Sequence, residues 1–308
     1  MKEIDWSCKH DIMIRNEDGT LTPMDEPYYE SEEIAPGTWK IVSSGDWSYL
    51  LAGDGQGLLI DSGYGAGNIR AYAEQLCGMP VPWIANTHDH FDHTANDSYF
   101  DLAYMSAATA EKATIPFQSF AGIDFPRDYP KKIITTGDII PLPGREIIVL
   151  AVSDHAAGSL CFLDRRERIL FSGDELWDFK PLQRSSVAHF AKDMGLLEQF
   201  RSDYDRIAGG GQIESAVIVD NLLRDAERVL AGERGEEPHM QQMPPQEEEH
   251  DSEGHLIYDR HRPHPGDGGA GKIQHPDLTH KRVITTNGYS MMYDETRIQD
   301  DGVQKAAE

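Results

Sequence analysis

From Thr38 onward, apolar residues fall in runs too short for most helices and rich in β-branched and aromatic types. TWKIVS from Thr38, WSYLLAG from Trp47 and GLLIDSG from Gly57 are divided by Gly/Asp turns and predict sequential strands. The period then changes. Ile69, Tyr72, Ala73 and Leu76 share one face of a helix over residues 68–76, with Gly78 as its stop. PWIAN from Pro82 predicts a buried strand, and a helix is expected to begin near Thr94. The second half repeats this order. IIPL from Ile139, REIIVLAV from Arg145, SLCFLD from Ser159 and RILFSGD from Arg168 predict strands. Helical spacing follows over residues 187–207, and an amphipathic helix is expected over 213–230. Two runs of strands, each followed by helices, imply an α/β (α+β) fold with two sheets face to face and helices outside.

The ends of the pattern mark its domains. Residues 1–35 are polar, punctuated by Pro23 and Pro27, and read as an irregular N-terminal extension to a main domain over 36–231. Residues 232–281 turn rich in Pro, Gly, Glu and His and read as an insertion or mobile loop. RVITTNGYSMMYD from Arg282 predicts a strand returning to the same domain, and 282–308 completes it with a tail.

Composition narrows the function classes. With 308 residues and 39% of them hydrophobic, the chain can bury a large core. Its formal charge of -25, from 53 acidic against 28 basic residues, repels phosphate backbones and anionic membranes. A small-molecule substrate is expected, with neither nucleic acid nor membrane as partner; the oligomeric state is left open. Cys8, Cys77 and Cys161 are too few and too widely spaced for a disulfide framework. The opening residues carry no apolar run, and no stretch approaches the roughly 20 apolar residues of a membrane span. A cytoplasmic location is the resulting expectation.

The chemistry concentrates in THDHFDH, residues 87–93. His88, His90, Asp92 and His93 lie within six positions, directly after an apolar strand. Imidazole nitrogen and carboxylate oxygen suit zinc, iron or manganese. Side chains two apart in extended chain point the same way, so His88 and His90 can grip one ion. Asp92 and His93 lie past the bend and can serve a second. The competing reading is a polar loop that caps a helix.

HxHxDH after a strand resembles the signature of the metallo-β-lactamase superfamily, which includes class B3-like lactamases, glyoxalase II and lactonases. SYLLAGDGQGLLIDSG resembles the opening strands of that family, with Asp61 beneath the site. VSDHAAGSLCFLD resembles the segment that gives its third histidine, here His155, and ILFSGDELW the segment that gives its bridging carboxylate, here Asp174. The resemblance runs over about residues 36–175 and implies a four-layer αββα sandwich. It implies a first metal on His88, His90 and His155, and a second on Asp92, His93 and Asp174, with Asp174 shared. Zinc is expected, one ion or two, with iron or manganese as alternatives. Paired cations would acidify a bridging water. Asp92 would orient the resulting nucleophile, Asp92 and Asp174 being the catalytic carboxylates, and Asp61 would fix a histidine tautomer. Asp61 as a plain turn cap, and His155 as an ordinary loop histidine, remain the alternatives.

One departure stands out. The family ends its site with a Pro-Gly-His-Gly turn before a helix. Here the corresponding place is DRIAGGGQIES, with Gly210 where the histidine belongs. Three arrangements are compatible with this: a mononuclear or weakly filled second site, help from the Gln212 amide, or a histidine from the insertion. The insertion holds seven of the 13 histidines: His239, His250, His255, His261, His264, His275 and His280. PGDG at Pro265, with Asp267, imitates the missing turn but follows the helix. Met240, Met243, Ile257 and Tyr258 are candidates for an apolar lid wall, and Trp177 and Phe179 for a pocket wall or for core. The expected function is a metal-dependent hydrolase of a small ester, lactone, thioester or amide. A non-catalytic metal-binding member and an iron oxidoreductase are the alternatives.

Overall fold

The computed structural model describes residues 2–7, 11–43, 45–115, 120, 122–238, 249–259 and 277–300. They form two compact units. The first draws on the described residues within 1–134, 141–145 and 243–274, the second on those within 135–140, 146–242 and 275–308.

In the first unit the main sheet has the order Glu30–Ala35, Thr38–Ser43, Asp46–Ala52, Gly57–Ile60, Trp83–Ala85, Leu102–Met105, Lys131–Ile133. The first four strands form an antiparallel meander, and from Gly57–Ile60 onward each neighbour is parallel. Parallel pairing needs a crossover, and the helix Ile69–Cys77 supplies one. Asn68 caps it by accepting from the Ala71 N–H, and Gly78, at φ 71°, ends it by donating to the Glu74 carbonyl. Every residue of Gly57–Ile60 is buried, as a parallel strand covered on both faces requires. The core of this unit is aromatic-rich: Trp6 packs edge-on against Phe125 at 5.6 Å, and Tyr64 stacks on Phe91 at 5.7 Å.

Residues 1–35, expected to be irregular, contribute three strands. Glu30–Ala35 edges the main sheet, while Ile12–Arg15 lies between Leu21–Pro23 and Leu256–Asp259 in a smaller sheet. Ile12 and Ile14 are buried, so two alternating apolar residues sufficed to anchor a strand in a polar stretch. Ile257 and Tyr258, expected in a lid wall, sit half-buried in that sheet.

The second unit carries a sheet in the order Ile139–Ile140, Ile147–Ala151, Leu160–Asp164, Ile169–Gly173, Arg206–Gly209, Ile213–Ser215. Its helices Val187–Gln199 and Val217–Leu230 bury Phe190, Met194, Leu197, Leu222 and Val229 in one cluster with Leu150, Leu163, Leu170 and Ile207. The first helix stops at Gln199, short of residue 207, because the chain turns into the strand Arg206–Gly209. The second begins at Val217, later than residue 213. The Gly209–Gly211 turn folds Ile213–Ser215 back onto Arg206–Gly209, and ladder hydrogen bonds there outweigh helical spacing. A third sheet joins Phe179–Pro181, Tyr289–Asp294 and Lys281–Thr286. The last two form a hairpin where one strand was expected. Asn287 and Gly288, at φ 52° and 90°, make the two-residue turn that an Asn-Gly pair favours.

Among the described residues no helix is long and apolar enough to cross a membrane. Cys77 and Cys161 are free thiols.

Candidate metal centre

The strands Gly57–Ile60 and Trp83–Ala85 run parallel with Ile60 opposite Ala85. The chain therefore leaves both strands at the same sheet edge, with Asp61 beside Asn86 and Thr87. The carboxyl ends of parallel strands are where such sheets assemble their sites. His88 and His93 are buried there, at 1% and 3% exposure. The ring of His88 lies 4.5 Å from that of His90 and 4.1 Å from that of His93, centroid to centroid. His88, His90 and His93 thus gather at one point in the first unit. Asp92 Oδ2 is 3.5 Å from His93 Nε2.

Asp61 organises this cluster. It takes a left-handed backbone, φ 57°, costly for a non-glycine residue, and in return its buried carboxylate accepts three hydrogen bonds. The Thr87 N–H and hydroxyl each donate at 2.7 Å, and His93 Nδ1 donates at 2.8 Å. A carboxylate only accepts, so His93 carries its proton on Nδ1. The Thr87 hydroxyl proton is committed to Asp61. Its oxygen, 3.0 Å from His88 Nδ1, accepts from that nitrogen, and His88 is protonated on Nδ1 too. Both rings therefore turn a basic Nε2 outward, the tautomer a divalent cation requires.

A further layer, which sequence reasoning missed, backs the cluster. The His93 carbonyl accepts from the Ser62 N–H and from Asn86 Nδ2. Ser62 and Asn86 also donate to Asp97 Oδ1, at 2.9 and 3.0 Å, and the Tyr129 hydroxyl donates to Asp97 Oδ2 at 3.0 Å. Burial pushes the Asp97 carboxyl up to about 7, and the Asp61 charge adds to the rise, although the Asn86, Ser62 and Tyr129 donors favour its charged form. Asn96 Nδ2 donates to the carbonyls of Ser62, Gly63 and Gly65. The only sequence signal was a polar Asn-Asp pair at a point read as helix start.

His155 and Asp174 lie in the second unit, with His155 Nε2 3.6 Å from Asp174 Oδ2. Asp174 follows the strand Ile169–Gly173, and its carbonyl accepts from Trp177 Nε1 at 2.9 Å. The loop of His155 is held by acids. Glu175 accepts from the N–H groups of Asp154, His155 and Ala156, and Asp154 from those of Gln183, Arg184 and Ser185. Lys180 lies between the two carboxylates; burial alone would lower its pKa, but their charges overcome this and raise it. None of these three was singled out from sequence.

Gly210 belongs to the Gly209–Gly211 hairpin turn and donates to the Gly173 carbonyl at 2.9 Å. A Cβ on Gly211 would lie 3.2 Å from the Trp177 ring, so Trp177 packs over the turn, while Phe179 is 41% exposed. Gln212 accepts from the Gly209 N–H through its backbone carbonyl. Of the insertion histidines, His250 and His280 are exposed and His255 pairs with Asp251 at 2.8 Å. His239, His261, His264 and His275 lie outside the described residues, as do Met240, Met243, Pro265, Asp267 and Cys8.

Residues 45–211, more than half of the chain, match the sequence model of the metallo-beta-lactamase superfamily. The chain belongs to that superfamily. This superfamily member is 30% identical over 120 residues to acyl-coenzyme A thioesterase MBLAC2 of Gallus gallus, across 32% of this chain and 43% of that protein. It is 27% identical over 158 residues to the Homo sapiens protein of the same name, across 44% and 56%. The chain spans about half the length of the curated relatives it matches. Among solved structures, a metallo-beta-lactamase from Pontibacter korlensis aligns with a TM-score of 0.51 at 17% identity, over 65% of this chain and 99% of the other. The metallo-beta-lactamase FIM-1 from Pseudomonas aeruginosa, in its mono-zinc form, aligns with a TM-score of 0.50 at 15% identity, over 67% and 98%. These likenesses, with the mixed sheets and helices above, establish the metallo-β-lactamase fold.

Proposed function

We propose that this protein is a metal-dependent hydrolase of ester-like carbonyl compounds, thioesters among them. In this reading His88, His90, Asp92, His93, His155 and Asp174 are the metal ligands. The observation that carries the proposal is the set of hydrogen bonds joining Asp61 to Thr87 and His93 and Thr87 to His88, whose consistent assignment puts the ring proton on Nδ1 and leaves Nε2 of His88 and of His93 basic. Imidazoles and carboxylates fit zinc, iron or manganese, and zinc is our choice. A divalent cation held there supplies Lewis acidity, polarising a carbonyl and acidifying water. Asp92 accepts the proton of the attacking water at a carboxylate oxygen, and Asp174 is the carboxylate offered beside His155. Superfamily membership supports hydrolysis, and the thioesterase names of the curated relatives put thioesters in the substrate panel. The Gly209–Gly211 turn offers no side-chain donor, which favours a single ion.

The test is elemental analysis of protein purified without chelator, together with turnover of matched thioester, oxoester and lactone substrates. The wild type should carry about one zinc equivalent and hydrolyse at least one of these substrates. His88→Ala and Asp92→Ala should each lower turnover by ~10² or more. Unchanged turnover in either variant, or in chelated protein, would remove the proposal.

A further inference from the structure

A lysine side chain only 2% exposed, beside two carboxylates that are 0% and 1% exposed, is expensive to place, and the strand that carries it runs against its own hydrophobic pattern. In Phe179–Pro181 the phenylalanine faces out and Lys180 faces in. Parallel pairing with Ser290–Met292 fixes that register. Lys180 Nζ lies 2.9 Å from Asp154 Oδ2 and 3.3 Å from Glu175 Oε2.

Each carboxylate also accepts from backbone N–H groups, and Glu175 from the Ser159 side chain as well. Glu175 takes the His155 N–H at 2.9 Å, with Asp154 and Ala156 on either side. Asp154 takes the N–H groups of Gln183, Arg184 and Ser185, and the side-chain amide of Gln183 lies 3.3 Å from His155 Nδ1. From the helix Val187–Gln199, Asp193 takes the Ser153 N–H at 3.1 Å. One carboxylate therefore fixes the backbone of His155, the other fixes the residue that meets its ring, and the ammonium joins the two.

We propose that Lys180 is a positioning residue: the buried bridge Asp154–Lys180–Glu175 fixes the backbone and ring direction of His155 and so sets the affinity of the centre for its cation. This rests on the reading of His155 as a metal ligand. A bridge that served folding alone would lower stability without a selective loss of metal.

The experiment is competition for zinc between the full-length protein and a chromophoric chelator, with thermal melts of the chelated protein alongside. Lys180→Met should weaken zinc binding at least ~10-fold, the scale on which supporting residues act, and Lys180→Arg should recover part of it. Should Lys180→Met fail to fold, Glu175→Gln decides. It keeps the volume but turns an amide donor toward the N–H groups of residues 154–156, and the same weakening is expected. Met194→Ala, a core change in the same unit, should lower the melting temperature and leave zinc affinity alone. Wild-type zinc affinity in folded Lys180→Met or in Glu175→Gln overturns the inference, as does an equal loss in Met194→Ala. Failure of the underlying reading looks different: His155→Ala would then bind zinc as the wild type does.

Discussion

Asp97→Asn should remove a pH-dependent cost built into the first unit. Asp97 is fully buried, and its carboxyl titrates near 7 against an ordinary value of 3.8, burial being the main cause. The folded state therefore holds a proton that the unfolded state releases, and stability falls as pH rises from about 4 to about 7. At about 1.36 kcal/mol per pH unit, that interval is worth ~4 kcal/mol. Asparagine keeps an oxygen for Ser62 and Asn86, and its amide can donate to the Tyr129 hydroxyl, which is free to rotate. Urea denaturation of chelated protein, followed by tryptophan fluorescence, reads the difference. At about pH 4.5 the two proteins should differ by only about 1 kcal/mol, and by about pH 8 the variant should be the more stable by up to ~4 kcal/mol. A gap that stays constant across that range would refute the reasoning.

Asp61→Asn should leave the fold nearly intact, because asparagine tolerates the left-handed backbone and still accepts from the Thr87 N–H. Its amide would face His93 Nδ1 as a donor, moving the imidazole proton to Nε2. Nitrogen NMR of the chelated protein should show the changed tautomer, and zinc affinity should fall ~10–100-fold. Gly53→Ala puts a Cβ 2.3 Å from the Pro143 carbonyl oxygen and 2.9 Å from Leu142 Cγ. The denaturation midpoint should drop by an amount equivalent to about 1–3 kcal/mol. Phe190→Ala empties a fully buried site in the second unit and should cost ~3–5 kcal/mol, read in the same assay.

Legibility followed the range of the interactions concerned. The helix Ile69–Cys77 was readable from end to end, because Asn68 and Gly78 make its cap and stop within its own neighbourhood. The Asn287-Gly288 turn was equally local, and reading through it as one strand overlooked a signal that was present. The boundary at residue 213 was not local. Whether Ile213–Ser215 continues a helix or folds back depends on the partner strand Arg206–Gly209. The strand Ile12–Arg15 depends on Leu256–Asp259, more than two hundred residues away.

The candidate centre divides the same way. THDHFDH after WIA is enough to put four donors within six positions at the end of a buried strand, since the spacing of donors along a short segment is a property of the segment itself. Which nitrogen carries the proton in His88 and His93 is decided by Asp61, which the parallel register of two strands brings beside Thr87 and His93. Lys180 and Asp97 lie still further from any sequence rule. A lysine beside an exposed phenylalanine, or an aspartate at a helix start, reads as solvent-facing until packing removes the water and leaves only a few polar partners to hold its charge or proton.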